Sequence, residues 1–199
     1  MIPPTHCTPR RRKDAATTRE EILAAARERF VADSYDSVGL RDIARDVGVD
    51  VALVSRHFGS KEELFRQVLG ADEHKLALPP TAAELPAFLV AMLAEACEEN
   101  DQHHREKLLI MLRSAASPTA TELVRDTLGA DVLEPLAQLI GGEYAYCRAV
   151  LLLSFLIGTE FLQNILPVKP FTEEERGCHE RELTRLLGSI LESEPVPSG

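Results

Sequence analysis

Val51, Ala52, Ser55 and Arg56 put a guanidinium fork, a hydroxyl and two small apolar groups within one short stretch, at a spacing that on a helix turns all four to the same side. Such a set suits the edges of base pairs: Arg56 can offer two parallel donors to a guanine, Ala52 is small enough to meet a thymine methyl, and Ser55 can donate or accept. Other chemistries find less support. Cys7, Cys97, Cys147 and Cys178 form no C-x-x-C pair and have no histidine at metal-ligand spacing, so they read as reduced thiols of a cytoplasmic protein. His103 and His104 would point about 100° apart on a helix and would not converge on one ion. No nucleophile–base pair, paired catalytic carboxylates or Gly-rich phosphate loop can be placed. The sequence therefore argues against an enzyme, and it requires no metal and no cofactor.

The outward set needs a scaffold, and the flanking sequence supplies three short helices, expected at about 18–33, 39–46 and 50–57. Between the last two, Val47-Gly48-Val49-Asp50 has the length and the glycine of a helix-turn-helix turn. Ile43, Ala44, Val47, Val49, Val54 and Phe58 recur at spacings that pack this pair on itself and on Ile22, Ala26 and Phe30. Asp50 is placed to cap the third helix.

Further helices are expected at 60–77, 81–99, 103–115, 118–140, 143–166 and 173–192, giving nine helices, no strand and an all-α class. Their starts are marked by Ser or Thr followed three residues later by Glu, a reciprocal cap for orphan backbone donors, at Thr18/Glu21, Ser60/Glu63, Thr81/Glu84 and Thr172/Glu175. Ser117-Pro118 supplies another start. Pro79-Pro80, Gly141-Gly142 and Pro167 to Pro170 are breaks. The organisation expected is a basic arm over 1–17, a helix-turn-helix domain over 18–69 and a larger helical body over 70–199.

Charge follows the same division. The chain of 199 residues carries a net −10, which at first argues against nucleic acid. Residues 1–70, however, hold 12 Lys+Arg against 11 Asp+Glu, so the acidity belongs to the body. The run Arg10-Arg11-Arg12-Lys13 is read either as a minor-groove arm or as a solvated tail. No apolar segment follows it, which argues against a secretory signal. The apolar run Ala149 to Leu153 and Phe155 to Ile157 is broken by Ser154 and by Gly158 to Glu160. It falls short of the roughly 20 apolar residues of a membrane span and reads as a buried helix, with no membrane partner.

Over residues 18 to 69 the sequence resembles the tetracycline-repressor (TetR) family. The resemblance is carried by Thr18-Arg-Glu-Glu-Ile-Leu, Ala26, Phe30, Leu40-Arg-Asp-Ile-Ala44, Val47-Gly-Val-Asp50 and Arg56-His-Phe-Gly-Ser-Lys-Glu-Glu-Leu-Phe65. It implies a nine-helix architecture with a helix-turn-helix headpiece on a ligand-binding and dimerisation body. By position it implies base-facing roles for Val51, Ala52, Ser55 and Arg56, and phosphate contacts for Gly39, Arg41, His57 and Lys61. Two departures bear on DNA preference. Relatives commonly carry Tyr where this chain has Ser55, and Ser or Thr where it has Gly39. Asp50 also replaces a more usual Ser, and sets a negative charge near the groove.

In the body, Leu183, Leu186, Leu187, Ile190 and Leu191 make a stripe at helical spacing, and the preceding helix is apolar around most of its circumference. The resemblance implies that these two helices pair with their copies in a second subunit. A two-fold homodimer would set two recognition helices about 34–36 Å apart, on successive major grooves of a palindromic operator in double-stranded DNA. The resemblance also implies an inducer cavity. The residues named for it are Phe88, Met92, Met111, Phe155, Glu160, Phe161, Gln163 and Asn164, for most of which plain core packing is the competing reading. Glu160 interrupts an apolar stretch, so it either faces solvent, meets a cation such as Arg113 or Arg148, or binds a ligand. The functional expectation is a dimeric repressor released from its operator by a small molecule. The alternative is a constitutive or activating DNA-binding regulator without an inducer.

Overall fold

A computed structural model of the chain describes residues 15–70, 77–98, 102–166 and 171–192. The arm Arg10 to Lys13, Cys7, and the side chains of Cys97, His103 and His104 lie outside what is described.

Among the described residues the fold is helical throughout and contains no strand. The headpiece consists of α1 (Ala15–Ala32), a 3-10 turn (Tyr35–Ser37), α2 (Leu40–Val47), α3 (Val51–Phe58) and α4 (Lys61–Val68). The body follows as α5 (Leu85–Glu98), α6 (Gln102–Ser114), α7 (Pro118–Leu128), α8 (Glu134–Ile140), α9 (Ala145–Glu160) and α10 (Glu173–Glu192). A π turn, Gly129–Leu133, joins α7 to α8 without leaving the helical region, so the two form one rod. With this pair counted once, the described residues make nine rods, as the sequence implied. Pro135 explains the widening: it has no N–H to donate, and its ring would crowd the carbonyl one turn earlier. A second π turn, Phe161–Ile165, extends α9.

Several starts are made as the sequence predicts. The Ser60 hydroxyl accepts from Glu63 N at 3.1 Å, and Ser117 accepts from Ala120 N at 3.3 Å, with Pro118 opening the helix. At α10 the box is reciprocal: Glu175 N donates to Thr172 Oγ1 at 3.2 Å, and Thr172 N donates to the Glu175 carboxylate at 2.8 Å. Two others differ. Thr18 is buried within α1, which already runs from Ala15, and Thr81 precedes a 3-10 turn (Ala82–Glu84) without a side-chain cap. Of the helix expected over 60–77, α4 is described as far as Val68, and residues 71–76 lie outside what is described. Gly70 has φ +92°, a conformation that does not continue a right-handed helix.

Two apolar clusters hold the chain. The first gathers Ile22, Ala26, Phe30, Tyr35, Ile43, Val54, Phe58, Leu64 and Phe65 from the headpiece, and it also takes Ile110 of α6 with Ala120 and Leu123 of α7. The second joins α5, α8, α9 and α10 through Leu85, Leu89, Leu136, Leu152, Leu156, Leu183 and Leu187. The headpiece core thus extends past residue 70 in sequence, into the body's own helices.

The stripe on α10 is placed differently from the expectation. Leu183 and Leu187 are buried within the subunit, and Ile190 and Leu191 pack on the same cluster. Most of the large apolar groups left in solvent lie on α9 and its extension, with Leu112 of α6 and Phe171 apart from them. Those on α9 and its extension include Leu151, Phe155 (41% exposed), Leu162 (52%) and Leu166. The reading of this segment as a buried helix is corrected in the same way: over its most apolar window, with a mean hydropathy of 1.6, only 22% is buried.

Candidate nucleic-acid interface and ligand cavity

The turn between α2 and α3 sets the interface. Gly48 adopts φ +73°, a left-handed conformation in which a side chain is strained. Its N–H reaches Arg45 O at 3.2 Å, and Val49 N reaches Ala44 O at 2.9 Å, which closes the end of α2. The chain then re-enters a helix at Asp50, whose carboxylate accepts from Ala52 N at 2.7 Å. Buried Ile43, Ala44, Val54 and Phe58 fasten α3 by one side.

That packing leaves Ala52, Ser55 and Arg56 exposed together on the far side of α3. Val51 differs: it is half-buried and packs against the headpiece core, so its side chain is in part a scaffold group and not a free base-facing one. Of the residues expected to flank the set, Arg41 is exposed at the start of α2, and Gly39 and His57 are half-buried. Gly39 caps α2 without a side-chain acceptor.

Lys61 is held, not free. Its ammonium lies 4.1 Å from the centroid of the Tyr35 ring, and partial burial lowers its pKa from the usual lysine value against the opposing pull of Asp36 and Glu62. The Tyr35 ring is itself wedged, stacked on Phe30 at 6.0 Å and edge-on to Phe65 at 4.9 Å. Burial, reinforced by the nearby Glu62 carboxylate, pushes the Tyr35 phenol up to about 12. Glu62 is held low, chiefly by its own backbone N–H and then by the Ser60 hydroxyl.

Two further arginines brace the headpiece. Arg29 forks onto Asp46 at 2.6 and 2.8 Å, which raises the arginine pKa and lowers that of the carboxyl. Arg19 sits over the Phe58 ring at 5.2 Å and donates to Gln67 at 2.6 Å. Sequence reasoning did not single out Tyr35 or Arg19. An aromatic residue between the first two helices is the trace of Tyr35 in the sequence, and Arg19 stands there only as a member of the run from Thr18 to Leu23, with nothing to mark its partners.

Polar contacts and the shared core tie the headpiece to the body. Arg113 of α6 donates to Ala32 O, the end of α1, at 3.1 Å, and the Ser117 hydroxyl donates to Asp36 at 3.0 Å.

The residues named for a cavity are spread over α5, α6, α9 and the π turn that follows it. Phe88 and Met92 pack on the body cluster, Met111 is half-buried on α6, and Phe155 is exposed. Glu160 is buried, at 4% exposure, and does not face solvent. Phe161, Gln163 and Asn164 are half-buried in the π turn, where Gln163 lies 3.5 Å from His179 of α10. An open groove of about 440 Å³ also runs between α5 and α10, lined by Ala87, Val90, Ala91, Ala94, Glu180, Arg181 and Thr184. None of the eight named residues lines it. Arg148 is also engaged elsewhere, donating to the carbonyls of Gly141, Glu143 and Leu191.

Comparison with known proteins agrees with this architecture. Residues 22–68 match the tetR family of bacterial regulatory proteins, and residues 83–192 match the tetracyclin repressor-like C-terminal domain. The HTH-type transcriptional regulator SrpR of Pseudomonas putida is 40% identical over 85 residues, which span 40% of this chain and 40% of SrpR. The match therefore covers less than half the length of that relative. Among solved structures, NalD of Pseudomonas aeruginosa, described as the secondary repressor of the MexAB-OprM multidrug efflux pump, superposes with a TM-score of 0.62 at 23% identity, covering 87% of this chain and 96% of NalD. A complex of SmeT with triclosan gives a TM-score of 0.59 at 21% identity, over 92% and 100% of the two chains. At these identities the structures speak for the fold. The sequence matches cover both the headpiece and the body, and on them the chain belongs to the tetR family of bacterial regulatory proteins.

Proposed function

We propose that the chain is a homodimeric transcriptional repressor that acts in the cytoplasm, reads a palindromic operator with its two α3 helices, and releases it when a small molecule binds the body. The observation that carries this reading is the exposed trio Ala52, Ser55 and Arg56 on a helix fixed from behind by the headpiece core and capped by Asp50. In the major groove Arg56 would pair with guanine, Ala52 would pack on a thymine methyl and Ser55 would serve either a donor or an acceptor. Arg41, His57, Lys61 and the backbone at Gly39 would hold the phosphates on either side.

The exposed row on α9 supports the dimer. Leu151, Phe155, Leu162 and Leu166 share a face with Gly158, which lets a second helix approach closely, and a copy of the same face is the partner that two-fold symmetry provides. On this reading the pairing surface lies chiefly on α9, with α10 contributing less than its stripe implied. NalD is described as a repressor and SmeT is seen in complex with triclosan, and the proposal extends repression and small-molecule binding to this chain. Ligand binding would reach the DNA through α6, since Arg113 and Ile110 tie that helix to the end of α1 and to the headpiece core.

Selection of duplexes from a random pool by the purified protein tests the reading. The expected result is an enriched palindrome, with Arg56→Ala relaxing preference at one base pair of each half-site by about 1–3 kcal/mol. No enrichment at low salt would overturn it.

A further inference from the structure

The position of Lys61 is unusual on electrostatic grounds. It is the first residue of α4, where the helix dipole presents its positive end and a cation is disfavoured. Partial burial adds to that penalty. A long, flexible lysine at such a place would ordinarily swing into solvent. Here the ammonium instead stands 4.1 Å from the centroid of one aromatic ring. That ring is 3% exposed and is fixed on its other sides by Phe30 and Phe65.

We propose that Tyr35 is a positioning residue for DNA binding: its ring face, locked between Phe30 and Phe65, holds the Lys61 ammonium where it meets a phosphate. The proposal rests on the reading of the chain as a DNA-binding regulator and names a residue outside the helix-turn-helix. The ring attracts the cation through its negative face yet offers no acceptor oxygen, so the donors of the ammonium stay available to an anion. Pre-ordering the side chain removes the entropy that a free lysine would lose on contact. Lys61 meets the face of the ring and not the hydroxyl, so the ring is the working part.

The test is a double-mutant cycle in the full chain, with the duplex enriched by the selection above. Lys61→Met should make the slope of log affinity against log salt shallower by about 0.9 per subunit, the signature of one lost phosphate contact. Tyr35→Leu should weaken binding about two- to tenfold per subunit with Lys61 present, and should have no further effect combined with Lys61→Met. Tyr35→Phe, the conservative variant that keeps the ring face, should rescue the affinity. A merely structural role predicts something else: Tyr35→Leu would then weaken both backgrounds equally, and that result overturns the proposal.

If Tyr35→Leu fails to fold, the ε-methylene protons of Lys61 report directly. Their upfield ring-current shift should persist on adding DNA, and its loss on binding would also overturn the proposal. The two levels fail separately. An enriched duplex with an unchanged salt slope in Lys61→Met removes only the role of Tyr35, whereas no enriched duplex removes the regulator reading and this proposal with it.

Discussion

The headpiece and the body bury their apolar groups in different ways. In the headpiece, Phe30, Tyr35, Phe65 and Ile43 are enclosed, the entries to α3 and α4 are capped, and Arg29 is paired with Asp46. In the body, Leu152, Leu156, Leu183 and Leu187 close a core, but the opposite side of α9 leaves Leu151, Phe155, Leu162 and Leu166 in water. A continuous apolar row of this kind is uncommon on a chain that works alone. The contrast teaches a division of labour: the headpiece is complete within one chain, and the body, on the reading proposed above, becomes complete only beside a second copy.

The largest effect should come from breaking the body's exposed row. Leu162→Glu places a charge where two copies would meet, and burying it unpaired is strongly unfavourable. Light scattering should show a monomer, and operator affinity should fall by about a hundredfold or more, because one headpiece loses the benefit of its twin. The circular dichroism of the helices should be unchanged. A dimer that survives Leu162→Glu would remove α9 as the pairing surface.

A second substitution separates core from surface within the same pair of helices. Leu187→Ala, at a fully buried position, should cost about 2–5 kcal/mol in unfolding free energy. Leu162→Ala should cost little in a monomeric background and act instead on the dimer constant. Equal losses at the two positions would mean that the two faces are not distinct.

This pair of positions also marks where the sequence stops being readable. Helical periodicity identifies a stripe but not the neighbour it meets, so the α10 stripe and the α9 row look alike until α5 is seen covering Leu183 and Leu187. Local signals fare better. The caps at Asp50, Ser60, Ser117 and Thr172 join residues two or three apart, and the outward trio on α3 follows from helix geometry alone. Thr18 carries the same motif inside a helix, where a cap pattern has no meaning. Tyr35 under Lys61, Arg113 on Ala32 and the arrangement around Glu160 depend on distant segments meeting, and no spacing rule reports such encounters. The cavity residues were the least legible, because an apolar wall and an apolar core draw on the same residue types.

Within the headpiece, alkaline titration tests how closed the aromatic core is. The Tyr35 phenol titrates near 12 when folded, above its ordinary value near 10. A raised acid favours the folded state fully below the unfolded value, and that contribution is lost as pH climbs from about 10 to about 12. Lys61 acts with the opposite sign, because its lowered pKa makes the folded chain the weaker proton binder. Chemical unfolding of the intact protein should therefore show an alkaline loss that shrinks in Tyr35→Phe. The difference in absorbance between the intact protein and Tyr35→Phe should show this phenol ionising only near pH 12. A Tyr35 signal that appears near pH 10 would show an open headpiece core.

The smallest effects concern the two helix entries of the DNA-reading pair, which differ in a single feature. Asp50 supplies a side-chain acceptor to α3, while Gly39 leaves α2 without one. Asp50→Ala should cost about 1 kcal/mol of stability. It should also relieve some repulsion from nearby phosphates, so its affinity loss at low salt should be smaller than the stability loss suggests. Gly39→Ser should move stability the other way by only a few tenths of a kcal/mol. The backbone accepts this change, since Gly39 sits in the extended region at φ −111°, and a Cβ there would lie 3.1 Å from the movable Asp42 carboxylate. That carboxylate is paired with Arg45 and would have to swing slightly aside. Thermal melts of the two variants decide whether the pair is limited by its caps. If Gly39→Ser destabilises, the Asp42–Arg45 contact and not the missing cap governs the entry to α2, and the glycine is there to leave room for it.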